Sequence, residues 1–271
     1  MTSHTINERG MSRKIDDSPW LDHDQANSLA SIRLFCFPYV GGGSWIYRGW
    51  SDYAGKEIEI IPLALPGRDK RLWEQPYSSL SPLIGALAEV LPQDKPFAFF
   101  GHSMGALIAF ELARELYQRG SELPLCLFAS GASAPQIPRR SVSRHLLSDA
   151  DLGVELRVLG GTPEEVLQDS GMMELFLPAI RADFAIGETY EYAQSNLLDC
   201  PIFVLHGDED PETSRDEALA WRACTSSAFR VDTFHGGHFF LHAAKKSIVT
   251  LIKHELSALT QTAAQSETSV L

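Results

Sequence analysis

The sequence contains no CxxC pair, and of its four cysteines, Cys36, Cys126, Cys200 and Cys224, three sit in apolar or strand-like stretches. That spacing excludes the common zinc-binding modules. In a chain this long it also argues against a disulfide framework, so the cysteines read as small buried hydrophobes. No apolar run approaches the roughly 20 residues that a transmembrane helix requires. The opening MTSHTINERGMSRKIDDSPWLDHDQANSLA is polar and charged and lacks the apolar core of a secretory signal, which makes the cytoplasm the expected location. Basic residues are few: 23 Lys and Arg against 35 Asp and Glu give a net charge of −12, with no basic cluster suited to a nucleic acid. An acidic surface favours solubility and repels acidic partners at long range. No internal repeat is visible.

What the 271 residues do contain is enough apolar material, 44%, for one large core. SIRLFCF (31–37) predicts a buried strand that stops at Pro38 and enters the glycine loop YVGGGSWIY. EIEIIPLAL predicts a second strand ending at the turn PGRD. SLSPLIGALAEVL carries apolar residues at helical spacing. PFAFF is a third strand, MGALIAFELARELYQRG a helix closed by Gly120, and LPLCLFAS a fourth strand. Short strands apolar on both faces, alternating with helices, predict a parallel sheet covered by helices. From 139 to 197 the strands vanish and helical stretches replace them. They resume with CPIFVLHG, a helix around RDEALAWRACT, a strand AFRVDTF and a last helix. The expected organisation is a polar leader (1–30), a core in two parts (31–138 and 198–258) and a helical insertion (139–197). A polar tail (259–271) closes the chain. Such an insertion can cover the carboxyl ends of the strands, where parallel sheets bind ligands.

Between PFAFF and its helix lies GHSMG, a G-x-S-x-G pattern in strand–turn–helix context. In this setting the turn holds Ser103 in a strained conformation as a nucleophile, and the glycines let strand and helix approach. A serine hydroxyl needs a base, and the base needs an orienting acid. Nine histidines compete. His102 adjoins the serine, His4 and His23 lie in the leader, His145 in the insertion, His206 at a strand end and His254 on the last helix. His235 and His238 sit in FHGGHFFLH, the loop after the last strand. The α/β-hydrolase fold, with its order serine, acid, histidine, calls for a histidine there, and His238 is favoured over His235. HGDEDP supplies Asp208, Glu209 and Asp210 after an earlier strand. Asp210, held by Pro211, is favoured and Asp208 comes second. Transition-state charge needs two backbone donors: Met104 N–H, just after the nucleophile, and Val40 N–H in the glycine loop. Gly41, Gly42 and Gly43 carry no phosphate-binding signature.

FCFPYVGGGSWIYRGW, LALPGRDKRLWEQPY, FFGHSMGALIAFELAREL, LGGTPEEVL, LPAIRADFAIGETYEY, HGDEDP and FHGGHFFL together resemble the type II thioesterases of nonribosomal peptide and polyketide assembly lines, over about residues 31–255. The resemblance implies an α/β-hydrolase fold with a helical lid. It implies Ser103, Asp210 and His238 as triad and Val40 and Met104 as oxyanion-hole donors. It further implies a stand-alone, monomeric enzyme that removes stalled or wrongly loaded acyl or aminoacyl groups from the phosphopantetheine arm of acyl or peptidyl carrier proteins. No metal and no other cofactor is expected. Val40 stands where the family commonly has alanine, a change that leaves a backbone donor intact. Rival readings are a medium-chain acyl-carrier-protein thioesterase of fatty-acid synthesis, a product-releasing thioesterase, a general carboxylesterase, and an α/β-hydrolase-fold binding module without catalysis.

A channel for the pantetheine arm is expected, with Leu175, Phe176, Leu177, Ile180, Phe184 and Ile186 as lining candidates. Carrier proteins are generally acidic near the arm, so docking to a chain at −12 calls for local basic surface. Arg139, Arg140 and Arg144, or Arg68, Lys70 and Arg71, are the two candidate clusters.

Overall fold

The computed structural model describes residues 18–24, 27–138, 143–194 and 196–268. Most of the expected leader, and both Arg139 and Arg140, lie outside the described residues. Six strands form one all-parallel sheet: β1 (Ile32–Phe37), β2 (Ile58–Pro62), β3 (Phe97–His102), β4 (Leu127–Ser130), β5 (Ile202–Gly207) and β6 (Phe229–Phe234). Their spatial order is β2-β1-β3-β4-β5-β6. The order reverses at β1, so the loops after β1 and β3 open side by side at the carboxyl edge. In open parallel sheets that switch point is the place for a ligand crevice.

Strands β1 to β5 are buried on both faces because they alternate two sets of mostly apolar residues, while the edge strand β6 is partly exposed along its length. Phe35, Phe37, Phe97, Phe99, Leu127, Ile202 and Val204 pack on one side with α2 (Leu80–Val90) and α3 (Met104–Gln118). Leu34, Cys36, Ala98, Phe100, Phe128 and Leu205 pack on the other with Trp50, before the short α1 (Ser51–Ala54), and with Ile248, Val249 and Ile252 of the last helix. The helices of the insertion are α4 (Asp149–Leu159), α5 (Glu164–Gln168) and α6 (Ser170–Glu188); α7 (Arg215–Leu219), α8 (Phe240–Ala243) and α9 (Lys245–Thr268) complete the chain. Ser148 caps α4 by accepting from Asp151 N–H, and Gly160 ends it with φ 78°. Asp169 caps α6 through Gly171 and Met172 N–H. The α4 residues Leu152 and Leu156 pack on Met173, Leu177, Ile180 and Phe184 of α6, which gives the insertion its own small core.

The structure departs from the sequence reading at both ends. Trp20 and Leu21, within the expected polar leader, are buried, and Leu21 bridges Leu63. An apolar pair in a charged stretch is too short to register as periodicity, yet it covers the end of β2. At the other end α9 continues to Thr268, so the polar tail extends the last helix.

Two glycines decide how closely β3 and α3 approach. A Cβ on Gly101 would overlap the backbone of Gly105 and Ala106, and one on Gly105 would overlap the carbonyl of Phe37 on β1. These are backbone collisions that no side-chain rotation relieves. Gly105→Ala is expected to cost about 1–3 kcal/mol or more, a loss of several degrees in Tm for a domain of this size. Gly153 on α4 has open space around its Cβ position, and Gly153→Ala is the matched control, expected to hold or raise Tm. Thermal unfolding by circular dichroism checks both; equal Tm for the two variants would contradict the packing account.

Candidate active site

Ser103 links β3 to α3 with φ 55° and ψ −118°, one of two non-glycine residues among those described with positive φ. A side chain held there costs on the order of 1–3 kcal/mol, and the neighbouring bonds impose it: Ser103 N–H donates to Ser130 O on β4, and Ala106 N–H donates to Ser103 O. The serine therefore stands at the carboxyl edge of the sheet, at the mouth of the switch point. Asp210 follows β5 and His238 follows β6 on the same edge. His238 Nδ1 lies 2.9 Å from Asp210 Oδ2 and 3.0 Å from Oδ1. The Asp210 side chain has no exposure and that of His238 only 10%. The acid is itself held, since Glu212 and Thr213 N–H both donate to Oδ1. Ser103 and His238 line one cavity of about 190 Å³, together with Val40, Met104, Phe184 and Phe239.

The two residues expected to supply backbone donors, Val40 and Met104, both line that cavity. Met104 is the first residue of α3, where an N–H has no intrahelical acceptor. In the loop after β1, Gly42 N–H donates to Tyr39 O. The Tyr39 carbonyl and the Val40 N–H belong to one trans peptide and point in opposite directions. Engaging the carbonyl inside the glycine turn thus turns the Val40 N–H outward, and Val40 lines the cavity.

The competing histidines and acids fall elsewhere. His235 is exposed, 3.4 Å from Asp208. The Asp208 carboxyl is held below the usual carboxylate range chiefly by Gly236 N–H, with His235 adding to it. His145 pairs with Glu188, and His254 with Glu255 on α9. His206 is buried in β5. His102 is fully buried, accepts or donates at Ser130 Oγ through Nδ1, and packs its ring 5.2 Å from that of His238. Burial first, and then the neighbouring His238 and His242, push its pKa well below the ordinary histidine value, so it is a neutral support beneath the pair.

A match to the thioesterase domain family model spans residues 32–256. The chain belongs to the thioesterase family. It is 42% identical to the gramicidin S biosynthesis protein GrsT of Aneurinibacillus migulanus, over 88% of this chain and 93% of that one. Among solved structures, the type II thioesterase BorB from the borrelidin biosynthetic cluster superposes with a TM-score of 0.80 at 38% identity, covering 88% of this chain and 98% of its own. YbtT, a type II thioesterase from the yersiniabactin NRPS/PKS pathway, gives 0.77 at 32%, over 86% and 96%. The medium-chain S-acyl fatty acid synthase thioesterase of Homo sapiens is 35% identical over 79% of this chain and 83% of its own. The thioesterase is thus a hydrolase of type II kind with an α/β-hydrolase fold, as its motifs suggested. Among the described residues no helix is long and apolar enough to cross a membrane.

Two expectations about the thioesterase need correction. Of the six lining candidates on α6, only Phe184 reaches the cavity. Leu177 and Ile180 face α4, Ile186 enters the main core, and Leu175 and Phe176 are exposed. The cavity side of α6 is instead the stripe Asp183, Phe184, Gly187 and Glu188. The second concerns basic surface. Arg68 and Arg71 are buried: Arg68 pairs with Asp183, while Arg71 pairs with Glu74, donates to Ala64 O and lies 4.1 Å from the ring centre of Trp20. Of the three basic residues in PGRDKR only Lys70 is exposed, paired with Asp24. Arg144 is mostly buried between Glu155 and Glu212. Arg68, Arg71 and Arg144 are therefore not free positive charges, because each found a carboxylate within the fold; Arg139 and Arg140 lie outside the described residues.

Proposed function

We propose that the protein removes acyl or aminoacyl groups from the phosphopantetheine arm of carrier proteins on nonribosomal peptide or polyketide assembly lines, and so clears stalled or wrongly loaded chains. The observation that carries the reading is the buried Asp210–His238 pair beside a strained serine in one cavity, within a chain of the thioesterase family. Ser103 is the nucleophile. His238 takes its proton as it attacks the thioester carbonyl, and Asp210 holds the tautomer and stabilises the imidazolium. The carbonyl oxygen gains charge within reach of Val40 and Met104 N–H. The thiol of the arm then leaves with the proton from His238. Water, activated by the same histidine, releases the acid from Ser103. This sequence calls on no metal and no cofactor. The relatives support the substrate class: one serves gramicidin S biosynthesis and another an NRPS/PKS pathway, while the fatty-acid-synthase relative is 35% identical against 42%. Four buried, free cysteines suit a reducing cytoplasm.

The test compares hydrolysis of short acyl or aminoacyl thioesters on a carrier protein, of a medium-chain fatty acyl thioester on a carrier protein, and of a short-chain p-nitrophenyl ester. Short acyl or aminoacyl carrier thioesters are expected to give a kcat/KM at least about tenfold higher than the ester, a difference near 1.4 kcal/mol in transition-state binding. Preference for the medium-chain carrier would move the enzyme to fatty-acid synthesis, and equal rates on the ester would make it a general esterase.

A further inference from the structure

We propose that Arg68 and Asp183 are positioning residues that set the oxyanion hole by clamping the glycine loop between the core and the lid. The inference rests on the thioesterase reading above and goes beyond its triad and donors. The loop after β1 bends with Gly41 at φ 72°, and its peptide groups are gripped one after another. Gly41 N–H donates to Asp183 Oδ2 at 2.8 Å. Gly42 O accepts from Arg68 Nη1 at 3.0 Å. Ser44 N–H donates to Asp69 Oδ2 at 2.8 Å, and Asp69 is the second non-glycine residue with positive φ. Arg68 and Asp183 are joined by two parallel bonds of 2.7 Å. Both are buried, to 6% and 1% exposure. Burial alone would lower the Arg68 pKa, but the Asp183 carboxylate more than offsets it, so the guanidinium stays charged.

A buried ion pair is weak evidence for stability, because desolvation cancels much of the attraction. Here the pair also bonds two peptide groups of the loop: Asp183 accepts from Gly41 N–H of the Val40–Gly41 peptide, and Arg68 Nη1 donates to Gly42 O of the Gly42–Gly43 peptide. Asp183 fixes the plane of the Val40–Gly41 peptide, and the Gly42–Tyr39 bond fixes that of Tyr39–Val40. With both planes set, the Val40 N–H has one direction. Asp183 also lines the cavity from α6, so the loop is held in place by a residue of the insertion. Remove the clamp, and a glycine-rich loop has many ways to turn that donor aside.

The experiment compares wild type with Arg68→Lys, Asp183→Asn and the double variant Arg68→Gln/Asp183→Asn on an acyl carrier protein and on acyl-pantetheine. Wild type must hydrolyse these substrates; if it does not, the thioesterase reading fails and not the clamp. Arg68→Lys keeps the charge but loses the fork that spans Asp183 and Gly42 O. It is expected to lower kcat about 10- to 100-fold, within the range for loss of one oxyanion donor, with KM within about threefold. Labelling of Ser103 by a fluorophosphonate, whose phosphoryl oxygen occupies the same hole, should slow in parallel. Asp183→Asn strands a buried cation and should lose Tm as well. The double variant has neutral partners and should regain that Tm while kcat stays low. Wild-type kcat in Arg68→Lys, or kcat returning with Tm in the double variant, would show a merely structural pair and overturn the proposal.

Discussion

Ser103→Ala is expected to lower turnover of an acyl-carrier thioester by about 10⁴-fold or more, since groups that act as a unit lose nearly everything when one is removed. The fold should survive. Alanine adopts the backbone conformation of residue 103 at no greater cost than serine, and the turn is imposed by bonds from Ser130 and Ala106 that do not involve the hydroxyl. The check is single-turnover hydrolysis together with a thermal melt. Residual acyl-enzyme formation at the wild-type rate would place the nucleophile elsewhere. An inactive variant that also melts early would instead point to the strained turn, with its close Gly101 and Gly105 contacts, as the damaged element.

Asp210→Asn should reduce kcat by about 10⁴-fold, because an amide opposite Nδ1 favours the wrong imidazole tautomer. Asp208→Asn should change it by less than about fivefold, a small transition-state term. The two acids are two residues apart, and only the geometry separates them. Asp210 is wholly buried against His238 and accepts two backbone N–H groups, whereas Asp208 lies at the surface beside exposed His235 and accepts Gly236 N–H. An asparagine at 208 still offers that N–H an oxygen, so the loop leading to His238 keeps its anchor. Steady-state rates for both variants settle the matter. A reversed order of effects would make Asp208 the orienting acid.

Arg68 and Arg71 are interior, so the PGRDKR turn cannot present them to an acidic partner. In a chain at −12, Arg68, Arg71 and Arg144 are neutralised by Asp183, Glu74, Glu155 and Glu212 and leave no free positive charge at those three positions. Two of these pairings join distant segments, Arg68 with Asp183, 115 positions apart, and Arg144 with Glu212, 68 apart.

The strand–turn–helix around Ser103, the α/β layering and the chain order of serine, acid and histidine were legible in the amino-acid order alone. In each case the information is contiguous: PFAFF, the glycines of GHSMG and the following helix specify one another through local sterics. The strands betrayed themselves by being apolar on both faces. Packing in three dimensions was needed to fix which side of α6 meets the cavity. That helix has apolar residues toward α4, toward the main core and toward solvent, so periodicity could not single out the stripe of Asp183, Phe184, Gly187 and Glu188. It also decided that Trp20 and Leu21 belong to the core and that Arg68 grips the glycine loop. A charged or isolated residue shows in sequence only its own preference for water. Whether it is buried depends on a partner brought from far along the chain, and that partner exists only once the sheet, its loops and the insertion have packed together.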